Sequence, residues 1–186
     1  MINFNEIKKQ SEISIASVFS QIEKIETCAL EMNKRFAVGG KLLWVGNGGS
    51  AAECQHMSAE YMVRYKKNRN PLPSISLTTD SSLLTAHAND FEYETIFSRQ
   101  ISALGSDNDI LIAISTSGRS PNWLEAIKAA REKSMFIILF TGRHCPIKES
   151  EYDVCFFIDS DVTARIQEGH TLINHMICEC VESMIS

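Results

Sequence analysis

Apolar residues first recur at alternating spacings of three and four: Ile15, Val18, Ile22, Ile25, Ala29, Met32 and Phe36. This is the period of one helix face, and it predicts a long helix over about 4–36, ended by Gly39-Gly40. A helix of that length has a face to bury, against a sheet or another subunit. After Gly40 the pattern becomes short continuous apolar runs alternating with helical stretches. The runs are "KLLWVG", "SISLTT" (74–79), "DILIAIS" (109–115), "MFIILF" (135–140) and "VCFFI" (154–158). Helices are predicted between them at about 50–66, 81–87, 92–104 and over "WLEAIKAAREK", with a last one at about 162–184. Strands that are apolar throughout and alternate with helices imply a parallel sheet covered on both faces. The expected fold is a five-stranded α/β sheet flanked by helices, flavodoxin-like and three-layered, behind a long N-terminal helical segment. Ligands of such sheets sit at the carboxyl ends of the strands, where "GNGGS" and "STSGRS" both fall.

Bulk properties narrow the class. The chain has 186 residues, 44% of them hydrophobic and 22% charged, as expected of one globular domain. A net charge of −5 argues against general nucleic-acid binding. The six cysteines, Cys28, Cys54, Cys145, Cys155, Cys178 and Cys180, form no C-x-x-C pair and fall mostly in apolar stretches. They read as reduced core residues of a cytoplasmic protein. No signal peptide is expected, and no run nears the roughly 20 apolar residues of a membrane span.

The glycine loop fits the dinucleotide fingerprint only loosely. Gly46-x-Gly48-x-x-Ala51 has the spacing, but the next strand ends in Thr78-Thr79-Asp80, too far on for the ribose-binding acid. The Walker pattern fails, since no Gly-Lys-Ser/Thr follows. No nucleotide cofactor is expected. What remains is a tight turn, with Ser50 as a helix cap and free N–H groups for an anion. The second loop puts Ser115, Thr116, Ser117 and Ser120 within six residues, with Gly118 for flexibility and Pro121 opening the next helix. Hydroxyls and free N–H groups at a helix start are the parts of a phosphate cradle, although a Ser-rich capping loop needs no ligand. Together the loops favour a small phosphorylated ligand bearing several hydroxyls.

His56 and Glu60, four apart, share a helix face. Such a pair binds a divalent metal, sets a base beside a polarising group, or is simply solvated. Arg64 continues the face, and the run Arg64-Tyr65-Lys66-Lys67 either complements the helix C-terminus or meets a substrate phosphate. In the last helix Gln167, Thr171, Asn174 and His175 form a polar stripe opposite Ile166, Ile173, Ile177, Val181 and Met184. His175 then faces a site or is hydrogen-bonded in a helix interface. His170 lies off the stripe and reads as structural. His87 and His144 join no constellation.

Five segments, "VGNGGSAAECQH", "AEYMVRY", "PLPSISLTTDSSLLTAHANDFEYETIFSRQISALG", "DILIAISTSGRSPN" and "TARIQEGHTLINH", together resemble the phosphoheptose isomerases, a family of the sugar isomerase (SIS) domain class. The resemblance covers nearly the whole chain in order. It implies a single SIS domain over 1–186, with a helical segment at 1–38 and an α/β core at 39–186. It implies that Asn47, Gly48, Gly49, Asn89, Asp90, Ser115, Thr116, Ser117, Ser120 and Gln167 contact a sugar phosphate. Glu60 becomes the general base and His175 its acid–base partner. His56, Glu60, Gln167 and His175 match positions that hold zinc in some members, one ion per subunit. Homotetramers with sites near subunit boundaries are implied too. Two departures stand out: Arg119, where a small polar residue such as Asn is common, and "TGRHCPIKES", which lacks the glycines usual after that strand.

The implied reaction converts sedoheptulose 7-phosphate to D-glycero-D-manno-heptopyranose 7-phosphate through an enediol, the first step of heptose supply for lipopolysaccharide or capsule. A proton leaves C1 and returns at C2, which one carboxylate in reach of both can accomplish. Two other readings compete. A non-catalytic relative that binds the replication initiator need not keep Glu60 and His175. An SIS isomerase of another sugar phosphate would look much the same. A sugar-phosphate-sensing regulator usually carries an added DNA-binding module, for which 186 residues leave no room.

Overall fold

A computed structural model describes residues 1–185. Five strands, β1 (Leu42–Gly46), β2 (Ser74–Ser76), β3 (Ile110–Ile114), β4 (Phe136–Thr141) and β5 (Val154–Phe157), form one sheet in the order β2-β1-β3-β4-β5. Every neighbouring pair is parallel. The chain winds from β1 outward to β2, then crosses back to β3 on the other side of β1. The gap between β1 and β3 is therefore the point where strand order reverses, and both candidate loops leave from its two strands.

Alternate strand residues feed two separate cores, the consequence of a two-residue side-chain period. Leu42, Trp44, Ile110, Ile112, Ile114, Ile138 and Phe140 face one side. There they meet α2 (Ile22–Ala37), α3 (Gly49–Met62) and α7 (Thr163–Ser183). Leu43, Val45, Leu111, Ala113, Ile137 and Leu139 face the other, against α5 (Ile96–Leu104) and α6 (Pro121–Glu132). The central strands β1, β3 and β4 are thus apolar on both faces, as the continuous runs predict, whereas β2 buries Ser74 and Ser76 on one face. The remaining helix of that layer, α4 (Ser81–Asp90), starts on an Asp80 cap that accepts from Leu83 N–H at 2.9 Å. Among the described residues no helix is long and apolar enough to cross a membrane.

The expected long N-terminal helix is two: α1 (Phe4–Phe19) and α2, broken at Ser20-Gln21. The break follows from side chains that bond to the backbone locally. Ser20 Oγ donates to Ser17 O at 2.8 Å, and Gln21 Nε2 donates to Ser17 O at 2.9 Å. Gln21 also reaches the edge of the sheet. Its amide donates to Phe157 O at 2.8 Å and accepts from Phe157 N–H at 3.3 Å, so it pairs with β5 as another strand would. Lys24 Nζ caps the next free carbonyl, Cys155 O, at 2.9 Å. A row of unpaired edge groups is thereby covered.

All six cysteines are free thiols. Cys28, Cys54 and Cys178 are buried, but Cys145, Cys155 and Cys180 are partly exposed, so the reading of all six as core residues holds for three.

Candidate active site

At the end of β1 the backbone turns through Gly48, whose φ of 55° favours glycine, directly into α3. Gly48 occupies the cap position, and Ser50, expected to cap, is instead buried inside the first turn. The turn is too tight to leave a residue between Gly48 and the helix. The N–H groups of Ser50 and Ala51 bond to Asn47 O and Gly48 O at 3.0 and 3.1 Å; those of Gly48 and Gly49 have no partner among the described residues. Unpartnered N–H groups at a helix start are available to an anion. Asn47 is fixed by a reciprocal amide pair: its Nδ2 donates to Asn122 Oδ1 at 2.8 Å and its Oδ1 accepts from Asn122 Nδ2 at 2.9 Å. Asn122, buried in the first turn of α6, thus ties one candidate loop to the other.

The hydroxyl loop turns through Gly118, φ 63°. Ser115 Oγ accepts from Gly118 N–H at 3.0 Å and Ser117 Oγ from Arg119 N–H at 3.3 Å. Both oxygens spend a lone pair on the backbone, leaving their hydrogens to donate to an anion. Ser120 sits at the α6 cap position with no side-chain bond. Thr116, Ser117 and Arg119 line a cleft of about 230 Å³ with Arg143 and His144 from the loop after β4. Arg143 is neutralised by Asp159 and Asp161, both at 2.7 Å, whereas Arg119 forms no ion pair among the described residues. The unusual residue of the loop is therefore also its uncompensated cation.

The helix α7 supplies the other wall. Gln167 packs on Gly49 so closely that a Cβ there would lie 2.4 Å from its Nε2. Further along, His175 Nε2 lies 3.1 Å from His56 Nε2, and His56 Nε2 lies 3.7 Å from Glu60 Oε1. Three of the predicted residues, on two helices, therefore meet in one place. Tyr65 stacks on His175 with ring centres 5.4 Å apart and planes 14° from parallel. Between these groups and Gln167 lies Glu53, which accepts from Thr171 Oγ1 at 3.0 Å and Asn174 Nδ2 at 3.2 Å. Thr171 and Asn174 of the polar stripe are thus held by a residue not singled out from the sequence. The signal was available, since Glu53, His56 and Glu60 are spaced three and four apart on one face.

The donors His56, His175 and Glu60 have the chemistry of a zinc site. In tetrahedral coordination with Zn–N of about 2.0–2.1 Å, two nitrogens stand roughly 3.3 Å apart, close to the 3.1 Å between the imidazoles. Among the described residues no three His, Cys, Asp or Glu side chains already surround one point. Gln167 lies two helical turns before His175, roughly 12 Å of rise, with its amide at Gly49.

Asn89 and Asp90 are exposed at the end of α4, where Asn89 Nδ2 donates to Asp90 Oδ1 at 2.8 Å, and neither bonds to either loop. The run at 64–67 meets no carbonyl of α3 through its cations. Its Tyr65, Lys66 and Lys67 N–H groups donate to the carboxylate of Glu182 at 2.8, 2.8 and 3.0 Å. The end of α3 is satisfied instead by Arg69, which donates to Glu60 O and Tyr61 O at 2.8 Å each and pairs with Glu182 at 2.9 Å. Burial raises the Glu182 pKa, but the three N–H groups and Arg69 outweigh it and hold the carboxyl below its ordinary value. One buried ion pair therefore staples the turn carrying Glu60 and Tyr65 to the helix carrying His175.

His170 is structural, as read. It is buried, Nε2 donates to Thr141 O at 2.9 Å, and burial pushes its pKa down to about 4, only partly offset by that bond. A larger cleft, about 620 Å³, opens between α2 and β5, lined by Glu23, Lys24, Tyr152 and Cys155. It lies on the far edge of the sheet from the β1–β3 reversal. Size is a poorer guide than converging chemistry, and the site is assigned to the reversal point.

Residues 8–142 match the SIS domain family, and the chain belongs to it. The phosphoheptose isomerase of Paramagnetospirillum magneticum is 51% identical over 148 residues, 80% of this chain and 77% of that protein. That of Campylobacter jejuni is 46% identical over 186 residues, 98% of both. Solved phosphoheptose isomerases superpose closely. The Neisseria gonorrhoeae enzyme gives a TM-score of 0.87 at 37% identity, over 97% of this chain and 96% of that one. The Francisella tularensis enzyme gives 0.88 at 34%, over 98% and 100%. Within the SIS family, then, this chain is a member of the phosphoheptose isomerases.

Proposed function

We propose that the protein is an aldose–ketose isomerase that converts sedoheptulose 7-phosphate to D-glycero-D-manno-heptopyranose 7-phosphate. The observation that carries the reading is the meeting of Glu60, His56 and His175 beside a glycine loop and a hydroxyl loop at the strand-order reversal. The phosphate would accept from the hydroxyls of Ser115, Thr116, Ser117 and Ser120 at the start of α6, and the sugar would run toward Asn47, Gly48 and Gly49. Glu60 would take the proton from C1 and return it at C2 of the enediol. His175 would move the hydroxyl and carbonyl protons and assist ring opening.

Zinc bound by His56, Glu60 and His175, with Gln167 as the fourth ligand, would polarise the carbonyl and stabilise the developing oxyanion. The donor set supports this, and Gln167 would swing from Gly49 to complete it. A homotetramer is supported by the apolar residues that α1 and α2 leave exposed, including Phe4, Ile15, Phe19, Ile22 and Leu30. Asn89 and Asp90, whose side chains bond to each other, would then reach a site near a subunit boundary. The proposed setting is the cytoplasm, supplying heptose for a surface polysaccharide.

The test is a panel of hexose, pentose and heptose ketose phosphates, with aldose formation followed by NMR. Turnover is expected for sedoheptulose 7-phosphate at well above the rate for shorter sugars. Equal rates across the panel would reassign the substrate, and no turnover with retained binding would make the protein a non-catalytic member.

A further inference from the structure

Thr116, Ser117 and Arg119 line one cleft of about 230 Å³, and the chain that carries them is fixed from below. Gly118 turns with φ 63°, and Pro146 packs on it so tightly that a Cβ there would lie 2.8 Å from its Cδ. Thr116 O accepts from Gly142 N–H at 3.2 Å, and a Cβ on Gly142 would lie 2.7 Å from that oxygen. The hydroxyl loop is thus seated on the segment after β4 at two points. Arg119 N–H donates to Ser117 Oγ at 3.3 Å, which leaves the Ser117 hydrogen free to point elsewhere. The same residue adds its side chain to the cleft wall.

The charges around the cleft decide what it can hold. Arg143 lies 2.7 Å from Asp159 and 2.7 Å from Asp161. One cation against two carboxylates leaves that cluster with a net negative charge. The loop hydroxyls are neutral. Arg119 is exposed, and its guanidinium has no ion pair or hydrogen bond among the described residues. Without Arg119 a phosphate, which carries about −1.5 to −2 charges at pH 7, would enter a cleft of its own sign. With Arg119 the fixed charges balance.

We propose that Arg119 is a specificity-determining residue that contacts the substrate phosphate and supplies the positive charge on which its affinity depends. The inference rests on the isomerase reading above and adds to it a residue which that reading leaves out. A guanidinium presents its donors in a planar fork that spans two phosphate oxygens, while the hydroxyls of Thr116 and Ser117 donate to the remaining surface of the anion. A small polar residue at this position would offer a hydrogen bond but no charge, and the negative balance of the Arg143 cluster would stand.

The test compares wild type with Arg119→Asn, Arg119→Lys and Lys128→Asn. The last removes the same charge from an exposed ion pair further along α6 and away from the cleft. Calorimetric titration with inorganic phosphate is the first readout and needs no turnover. Arg119→Asn should weaken phosphate binding about tenfold, as expected for one exposed charge-assisted contact. The gap from wild type should narrow as salt is raised. Arg119→Lys should recover part of the loss, since it restores the charge but not the fork, and Lys128→Asn should bind as wild type does. With sedoheptulose 7-phosphate, Arg119→Asn should raise KM by a similar factor and lower kcat less. Absence of phosphate binding in wild type, equal affinity in wild type and Arg119→Asn, an equal loss in Lys128→Asn, or a gap indifferent to salt would each overturn the proposal. Phosphate binding with the expected dependence on Arg119, in a protein that turns over no sugar phosphate, would sink the isomerase reading and leave the anion contact in place.

Discussion

His56 and His175 meet through their Nε2 atoms at 3.1 Å, one from α3 and one from α7. A contact of this kind needs one nitrogen to carry a hydrogen and the other to present a lone pair. His175 is therefore steered from two directions, by His56 at its tip and by Tyr65 across its face. Glu60 lies 3.7 Å beyond His56. The helix-to-helix contact turns two surface-type spacings in the sequence into a single group of acid–base residues.

Replacing Glu60 by Gln keeps size and polarity and removes the base. The expected result is a fall in kcat of roughly 10²- to 10⁴-fold, with the circular dichroism spectrum and melting temperature close to wild type. Activity within a few-fold of wild type would mean that another group moves the proton.

Metal dependence is separable from that result. Protein purified without chelator should contain about one zinc per subunit by elemental analysis, and His56→Ala should lower that content even where folding is intact. Chelation should remove activity and added zinc restore it. Full activity in metal-free protein would leave the imidazoles to act unaided.

The Glu182–Arg69 pair is almost wholly buried, with side-chain exposures of 2% and 3%. Removing one partner strands the other charge, so Glu182→Ala should cost about 3–5 kcal/mol of unfolding free energy by urea titration. The staple also sets Tyr65 against His175. Glu182→Gln should therefore depress kcat more than it raises KM, a split that simple loss of stability would not give.

His170 makes stability depend on pH in a defined window. Its folded-state pKa of about 4 lies below the ordinary value of 6.5. Between these the unfolded chain binds a proton that the folded one does not, so stability is full above about pH 6.5 and falls as pH drops toward 4. A shift of that size corresponds to about 3 kcal/mol. Urea unfolding from pH 7 to 4 should show this loss, and His170→Gln should flatten most of it. Asp109 and Glu182 act in a separate, lower window. Burial raises both, but their hydrogen bonds and paired cations win and hold both below ordinary values. Their contributions are present above the unfolded carboxylate range and are lost as pH falls below it.

The α/β architecture was legible because its strands are buried on both faces, and that leaves continuous apolar runs such as Ile110–Ile114. The N-terminal break was not legible, because the apolar period runs straight through Ser20-Gln21. The bonds from Ser20 and Gln21 to Ser17 O break the helix, and Gln21 is held there by Phe157, far along the chain. The cores of both loops were visible as glycine and hydroxyl patterns. Ser50 was misplaced because φ at Gly48, not side-chain chemistry, sets where α3 begins. Asn122 and Glu182 went unread because each acts through partners more than 70 residues away, which no local spacing records; Glu53, also held by distant partners, shares its helix face with His56 and Glu60.

Gln21 has a bearing on how the molecule behaves in a crowded solution. By imitating a sixth strand with a single amide, it denies β5 to other molecules that present an extended segment. Without that plug, identical copies would be able to join edge to edge, and a discrete particle would become the seed of an open-ended one.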